Sequence, residues 1–177
     1  MKSFFFLIIV ALAGCTVFSS DPNTRTLGQS IDDEAIEHLA ERQIKQSNEN
    51  FAGTNYDVVS FNGILLIVGQ VPNETLRSQA GEAVTGLRKV KQVHNELQIG
   101  GPISMVARSN DSWLTSKVKS RLLATEDVRA SRVKVVTANG VVYLMGKINR
   151  LEADQAVVAT REVFGVQKIV KVFEYVD

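Results

Sequence analysis

From about residue 30 onward, the apolar residues fall into a pattern that occurs twice. Ile36, Ala40 and Ile44 stand at i, i+4 and i+8 among polar neighbours, and Leu114, Val118 and Leu122 repeat the spacing. Each set marks the buried stripe of an amphipathic helix. Two β-branched and aliphatic runs follow, Val58-Val59-Ser60-Phe61-Asn62-Gly63-Ile64-Leu65-Leu66-Ile67-Val68-Gly69 and Val135-Val136-Thr137-Ala138-Asn139-Gly140-Val141-Val142-Tyr143-Leu144-Met145-Gly146. Both central residues of a type I′ turn need positive φ, which Asn and Gly tolerate best, so each run predicts a two-residue hairpin. A second helix reads from Asn73 and from Asn149 as N-caps, with Glu152 spaced three residues on for a capping box. These helices yield through Gly86 and Gly165 to β-rich stretches over 90–99 and 166–176. The order is α-β-β-α-β, twice. A three-stranded sheet can bury a face under two helices, so the expected class is α+β, with two tandem modules of one mixed sheet and two helices each.

The chain ahead of the modules is of another kind. Lys2 precedes an uninterrupted apolar stretch, Phe4 to Leu12, far short of the roughly 20 residues a membrane-spanning helix needs but fitting a signal-peptide core. Leu12-Ala13-Gly14-Cys15 closes it and resembles a bacterial lipobox, in which the Cys thiol is diacylated and the signal is cut before it. The plainer reading is an ordinary secretory signal with an incidental Cys. Thr16 stands where an Asp would mark inner-membrane retention, so the resemblance implies lipidation at Cys15 and the periplasmic face of an outer membrane. A polar stretch without apolar periodicity follows. The expected plan is a lipoprotein signal peptide at 1–14, a lipidated tether at 15–29, a first module at 30–100, a linker at 101–108 and a second module at 109–177.

Each module resembles the BON domain, on the central hairpin with its Asn-Gly turn and the Gly after the last helix. With the lipobox and tether, the stretches Phe61-Asn62-Gly63, Val68-Gly69-Gln70-Val71-Pro72-Asn73 and Ser109-Asn110-Asp111-Ser112-Trp113-Leu114-Thr115 are similar to those of outer-membrane BON lipoproteins. The resemblance implies a non-enzymatic, lipid-anchored protein of the envelope. It implies further that the second module binds anionic phospholipid, notably phosphatidylglycerol, through its first helix and a Trp, and that the protein concentrates at division sites.

Composition changes this picture in one respect. The whole chain is nearly neutral, +1 over 177 residues, which argues against a nucleic-acid partner. Residues 30–100, however, carry ten acidic and six basic side chains, whereas residues 109–177 carry eight and eleven. The first helix holds Asp32, Asp33, Glu34, Glu37 and Glu41. The second module's leading helix holds Lys117, Lys119 and Arg121, with Asp111 at its expected N-cap and Trp113, the only Trp, opening it. Trp favours the headgroup zone, and Lys and Arg attract anionic headgroups. The resemblance therefore implies a lipid site at Trp113, Leu114, Lys117, Val118 and Arg121. The bland alternative is that Trp113 packs on its own core, the cations are a solvated face, and Leu114, Val118 and Leu122 are core.

Other chemistry finds little support. One cysteine excludes an internal disulfide, and His38 and His94 lack partners at metal-ligand spacing. No nucleophile elbow, P-loop or dinucleotide fingerprint occurs, so neither catalysis nor a cofactor is expected. The carboxylates at 32–37 read as favourable charge in a helix's first turn. Phe61 and Tyr143 read as core or sheet-surface residues, with a contact between modules as the alternative. A second functional reading is a periplasmic adaptor or chaperone-like protein that supports outer-membrane protein assembly through its machinery.

Overall fold

The computed structural model describes residues 25–101 and 103–176. The expected signal peptide, Cys15 and most of the expected tether lie outside the described residues. The first module runs α1 (Leu27–Ser47), a 3₁₀ turn (Glu49–Gly53), β1 (Asn55–Phe61), β2 (Ile64–Val71), α2 (Glu74–Ala83) and β3 (Gln92–Ile99). The second repeats it as α3 (Met105–Leu123), a 3₁₀ turn (Ala130–Arg132), β4 (Val133–Ala138), β5 (Val141–Ile148), α4 (Arg150–Arg161) and β6 (Lys168–Tyr175).

Each hairpin forms as its turn chemistry dictates. Phe61 pairs with Ile64 and Ala138 with Val141, leaving two-residue loops. Asn62 and Gly63 have φ of 52° and 79°, and Asn139 and Gly140 have 52° and 74°. β2 and β5 are the central strands, antiparallel to β1 and β4 and parallel to β3 and β6. The parallel pair needs a crossover, which α2 and α4 supply. At Gly69 the backbone takes φ 126°, and a Cβ there would stand 2.3 Å from the Asn55 carbonyl oxygen, so only glycine fits.

The sheets are buried on both faces. Leu65, Ile67 and Val71 of β2 point into a core with Ile36, Ala40 and Ile44 of α1 and Leu76 and Ala80 of α2. Val142, Leu144 and Ile148 of β5 do the same beneath Leu114, Val118 and Leu122 of α3. The alternate residues, Ile64, Leu66 and Val68 with Val141, Tyr143 and Met145, form a third core between the two sheets. The uninterrupted apolar runs of β2 and β5 are the mark of strands covered on both sides. The molecule is thus layered helices, sheet, sheet, helices.

Polar contacts at the rim of that third core come in equivalent pairs. The Asn62 amide of one turn donates to Glu174 at the end of β6, and the Asn139 amide of the other donates to Gln98 at the end of β3 at 3.4 Å. The two modules therefore meet through an approximate two-fold relation. Phe61 and Tyr143 both lie in this interface, and burial, with the nearby Glu96 charge, pushes the Tyr143 phenol up to about 12.

Several local expectations are corrected. α1 begins at Leu27 with Thr26 as N-cap in a capping box with Gln29, so residues 27–29 of the expected tether are helical and continuous with α1. α3 begins at Met105 behind the N-cap Ser104, so residues 105–108 of the expected linker are helical. Trp113 therefore sits in the third turn, and Asp111 is not a cap. Asn73 and Asn149 do cap α2 and α4. The Glu152 carboxylate, however, turns away from the cap to accept from the Arg129 N–H at 2.8 Å and to meet Arg132, so no capping box closes there. In β-sheet register the residue equivalent to Gly165 is Lys89, not Gly86; both hold positive φ, at 105° and 71°.

Candidate functional site

The acidic cluster divides: Glu34 is exposed and Asp32 half-exposed, whereas Asp33 and Glu37 are tied into the fold. Asp33 is 1% exposed and faces the hairpin turn. Its carboxylate accepts from the Ser60 hydroxyl at 2.7 Å and from the Asn62 and Gly63 N–H groups at 2.8 and 2.9 Å, and it pairs with Arg25. Asp111 grips the second turn in the same way, accepting from Asn139 and Gly140 N–H at 2.8 and 2.9 Å. A two-residue turn leaves these N–H groups without strand partners, and a carboxylate from the leading helix satisfies both. Glu37 accepts from the Ser60 N–H at 2.7 Å and from Lys134 of the other module at 3.1 Å. The expectation of charge in a first helical turn fails because α1 starts five residues earlier than Asp32.

α3 presents a surface of different character. Its outward strip holds Met105, Val106, Ser109, Ser112, Trp113, Ser116, Ser120 and Leu123, all exposed and none charged. On α1 the positions equivalent to Ser112, Ser116 and Ser120 are Glu34, His38 and Arg42. Trp113 is 59% exposed and does not enter the core. The Lys117 ammonium lies 3.8 Å from its ring centroid, a cation–π contact, and donates to the Phe164 carbonyl at 2.7 Å. Arg121 pairs with Glu162 at the end of α4, so its charge is shared across two helices. Lys119 stands exposed on the other flank.

Two of the expected site residues are elsewhere. Leu114 and Val118 are 1% and 0% exposed and belong to the second module's core. They lie about 100° around the helix from Trp113 and Lys117 respectively, because adjacent residues are separated by that angle. They hold α3 in place and cannot touch a surface. The structure brings Trp113, Lys117 and Arg121 into one row along the flank facing α4. Sequence reasoning missed Phe164, which joins this row from the α4–β6 turn and is 89% exposed. The observed strand register sets it opposite Arg88, an apolar residue in a turn where its counterpart is charged.

Among the described residues no group of His, Cys, Asp or Glu is arranged to hold a metal, and no helix is long and apolar enough to cross a membrane. The cavity of about 450 Å³ beside Asp33, Asn62 and Lys89 is an open cleft around the turn clamp. The α-β-β-α-β modules, their Asn-Gly hairpins and the uncharged outer strip of α3 therefore define a duplicated α+β fold whose two copies differ at their surfaces.

Residues 32–101 and 110–177 each match the BON domain, and the chain belongs to that family. It is similar to the outer membrane lipoprotein DolP of Haemophilus influenzae, 38% identical over 159 residues that span 90% of this chain and 81% of that one. It is also similar to a 21 kDa hemolysin of Actinobacillus pleuropneumoniae, 36% identical over 86% of this chain and 79% of that protein. The osmotically-inducible protein Y of Escherichia coli is 26% identical over 84% of this chain and 75% of its own length.

Proposed function

We propose that this protein is a non-enzymatic lipoprotein of the outer membrane, anchored at its periplasmic face through acylated Cys15, and that its second module binds anionic phospholipid. The observation that carries the reading is the α3 surface: an exposed Trp with an ammonium stacked on it, beside a helix strip without charge. Trp suits the headgroup zone and cations attract anionic headgroups, so Trp113 with Lys117 and Arg121 beside it suits such a contact. The likeness to an outer membrane lipoprotein supports the location. The acyl anchor raises the local concentration of the module at the membrane, so a weak contact suffices. Patches of phosphatidylglycerol would then direct the protein, with envelope integrity and division sites as the places where such recognition acts.

Titration with vesicles, followed by the fluorescence of Trp113, tests the reading. A blue shift that grows with phosphatidylglycerol content, and is absent on vesicles of neutral lipid alone, is expected. No shift on any vesicle would overturn it and move the weight to an adaptor of outer-membrane protein assembly.

A further inference from the structure

α3 does not stand alone on its side of the second module. The turn between α4 and β6 comes up beside it, and that turn carries Phe164, the most exposed large apolar side chain among the described residues at 89%. A single exposed phenylalanine is unremarkable. What distinguishes this one is how it is held. Gly165 takes φ 105°, and a Cβ there would lie 3.6 Å from the Leu114 side chain, so the turn's backbone packs on α3 and Phe164 projects outward. The Lys117 ammonium lies 3.8 Å from the Trp113 ring centroid and 5.7 Å from that of Phe164, and it donates to the Phe164 carbonyl. One cation thus ties two exposed aromatic rings from two elements into a unit. The first module has no such unit, since Ala35, Leu39 and Arg88 stand at the equivalent positions.

We propose that the α4–β6 turn is the second half of the membrane contact, with Phe164 entering the lipid boundary beside Trp113 while Lys117 meets the headgroup phosphate between them. This rests on the lipid-binding reading above and extends it from one helix to a two-element clamp. The occupant is an anionic lipid surface because the surroundings are complementary to it. Lys117, Lys119 and Arg121 rim the patch, and Glu162, the acid beside it, is paired with Arg121. Two rings held apart by a lysine also resist collapsing on each other, so both stay available to the bilayer. The ammonium uses one hydrogen on the Phe164 carbonyl and keeps others for a phosphate oxygen.

The test uses the full lipidated chain reconstituted in vesicles of phosphatidylglycerol and phosphatidylethanolamine whose acyl chains carry bromine, a short-range quencher of Trp fluorescence. Two single-Trp proteins are compared: the native one, reporting from position 113, and a Trp113→Phe, Phe164→Trp double variant, reporting from position 164. The proposal expects quenching at both positions that grows with phosphatidylglycerol content, and about tenfold weaker vesicle binding by a soluble Phe164→Ala form, the scale for leaving one phenyl ring in water. Residue 164 is exposed, so unchanged thermal melting serves as the folding control. Quenching at 113 but not at 164 overturns the proposal and leaves the lipid-binding reading intact. Quenching at neither position overturns the reading on which it rests.

Discussion

Replacing Asp33 by Ala should be among the most damaging single changes in the first module. The side chain is 1% exposed and accepts three hydrogen bonds, from the Ser60 hydroxyl and the Asn62 and Gly63 N–H groups, besides pairing with Arg25. Removing it strands donors that water reaches poorly, Gly63 above all, at about 1–3 kcal/mol for each one left unsatisfied. The Ser60 hydroxyl can rotate to another acceptor, so the expected total is about 3–5 kcal/mol. Asp111, which serves two N–H groups in the second turn, should cost less, about 2–3 kcal/mol. Asp33→Asn should fall between wild type and Asp33→Ala, because an amide keeps one acceptor but turns a donor toward other donors. Urea unfolding of a soluble form starting after Cys15 measures these differences. Midpoints should fall by roughly 1–3 M with little change in slope. A cost under about 1 kcal/mol for Asp33→Ala, or a larger cost for Asp111→Ala than for Asp33→Ala, would refute the clamp.

Three further outcomes follow from single features. Lys89→Gly should stabilise by about 0.5–1 kcal/mol, since Lys89 holds φ 71°, and the gain should grow in high salt, which screens the exposed Lys89–Asp32 pair that the variant lacks; a destabilised variant at high salt contradicts this. The Tyr56 hydroxyl is buried with no hydrogen-bond partner among the described residues, and burial, with the Glu41 charge, pushes its phenol up to about 12. Tyr56→Phe should therefore cost nothing or stabilise by up to about 1 kcal/mol in thermal melting, and a loss beyond that range would show a partner for the hydroxyl. Burial lowers the His94 imidazole below its ordinary 6.5, with Glu96 opposing, so the unfolded chain binds the proton more readily. Stability should be full above pH 6.5 and fall as the pH drops through that value; His94→Gln should flatten that segment of the pH profile, and an unchanged slope would exclude His94 as its source.

The repeat was legible because period and turn chemistry are local. The Asn-Gly pairs set φ by themselves, and the i, i+4, i+8 stripes name the buried helix face without reference to anything distant. What escaped was tertiary. Asp111 resembles an N-cap because Asp is a good one, but its carboxylate serves a turn 28 residues away in the chain. Glu152 stands at capping-box spacing, yet Arg129 and Arg132 claim it. The true caps, Thr26 and Ser104, precede stretches with little apolar periodicity, so the first turns of α1 and α3 carried no core signal. At the candidate site, Trp113, Lys117 and Arg121 could be placed in one row from helical spacing, whereas Phe164 could not, since it arrives from 43 residues beyond Arg121 in another element. Leu114 and Val118 fit an apolar lipid face and a core equally well by sequence. The sheet beneath them decides for the core.

The central claim is that the second module, through Trp113, recognises an anionic membrane. Flotation of the soluble form lacking Cys15 with vesicles of rising phosphatidylglycerol content measures it without the anchor. The account predicts binding that rises steeply with phosphatidylglycerol, falls with salt, and is lost in Trp113→Ala while the fold is retained. Binding that is absent at every composition, or equal in Trp113→Ala, contradicts it.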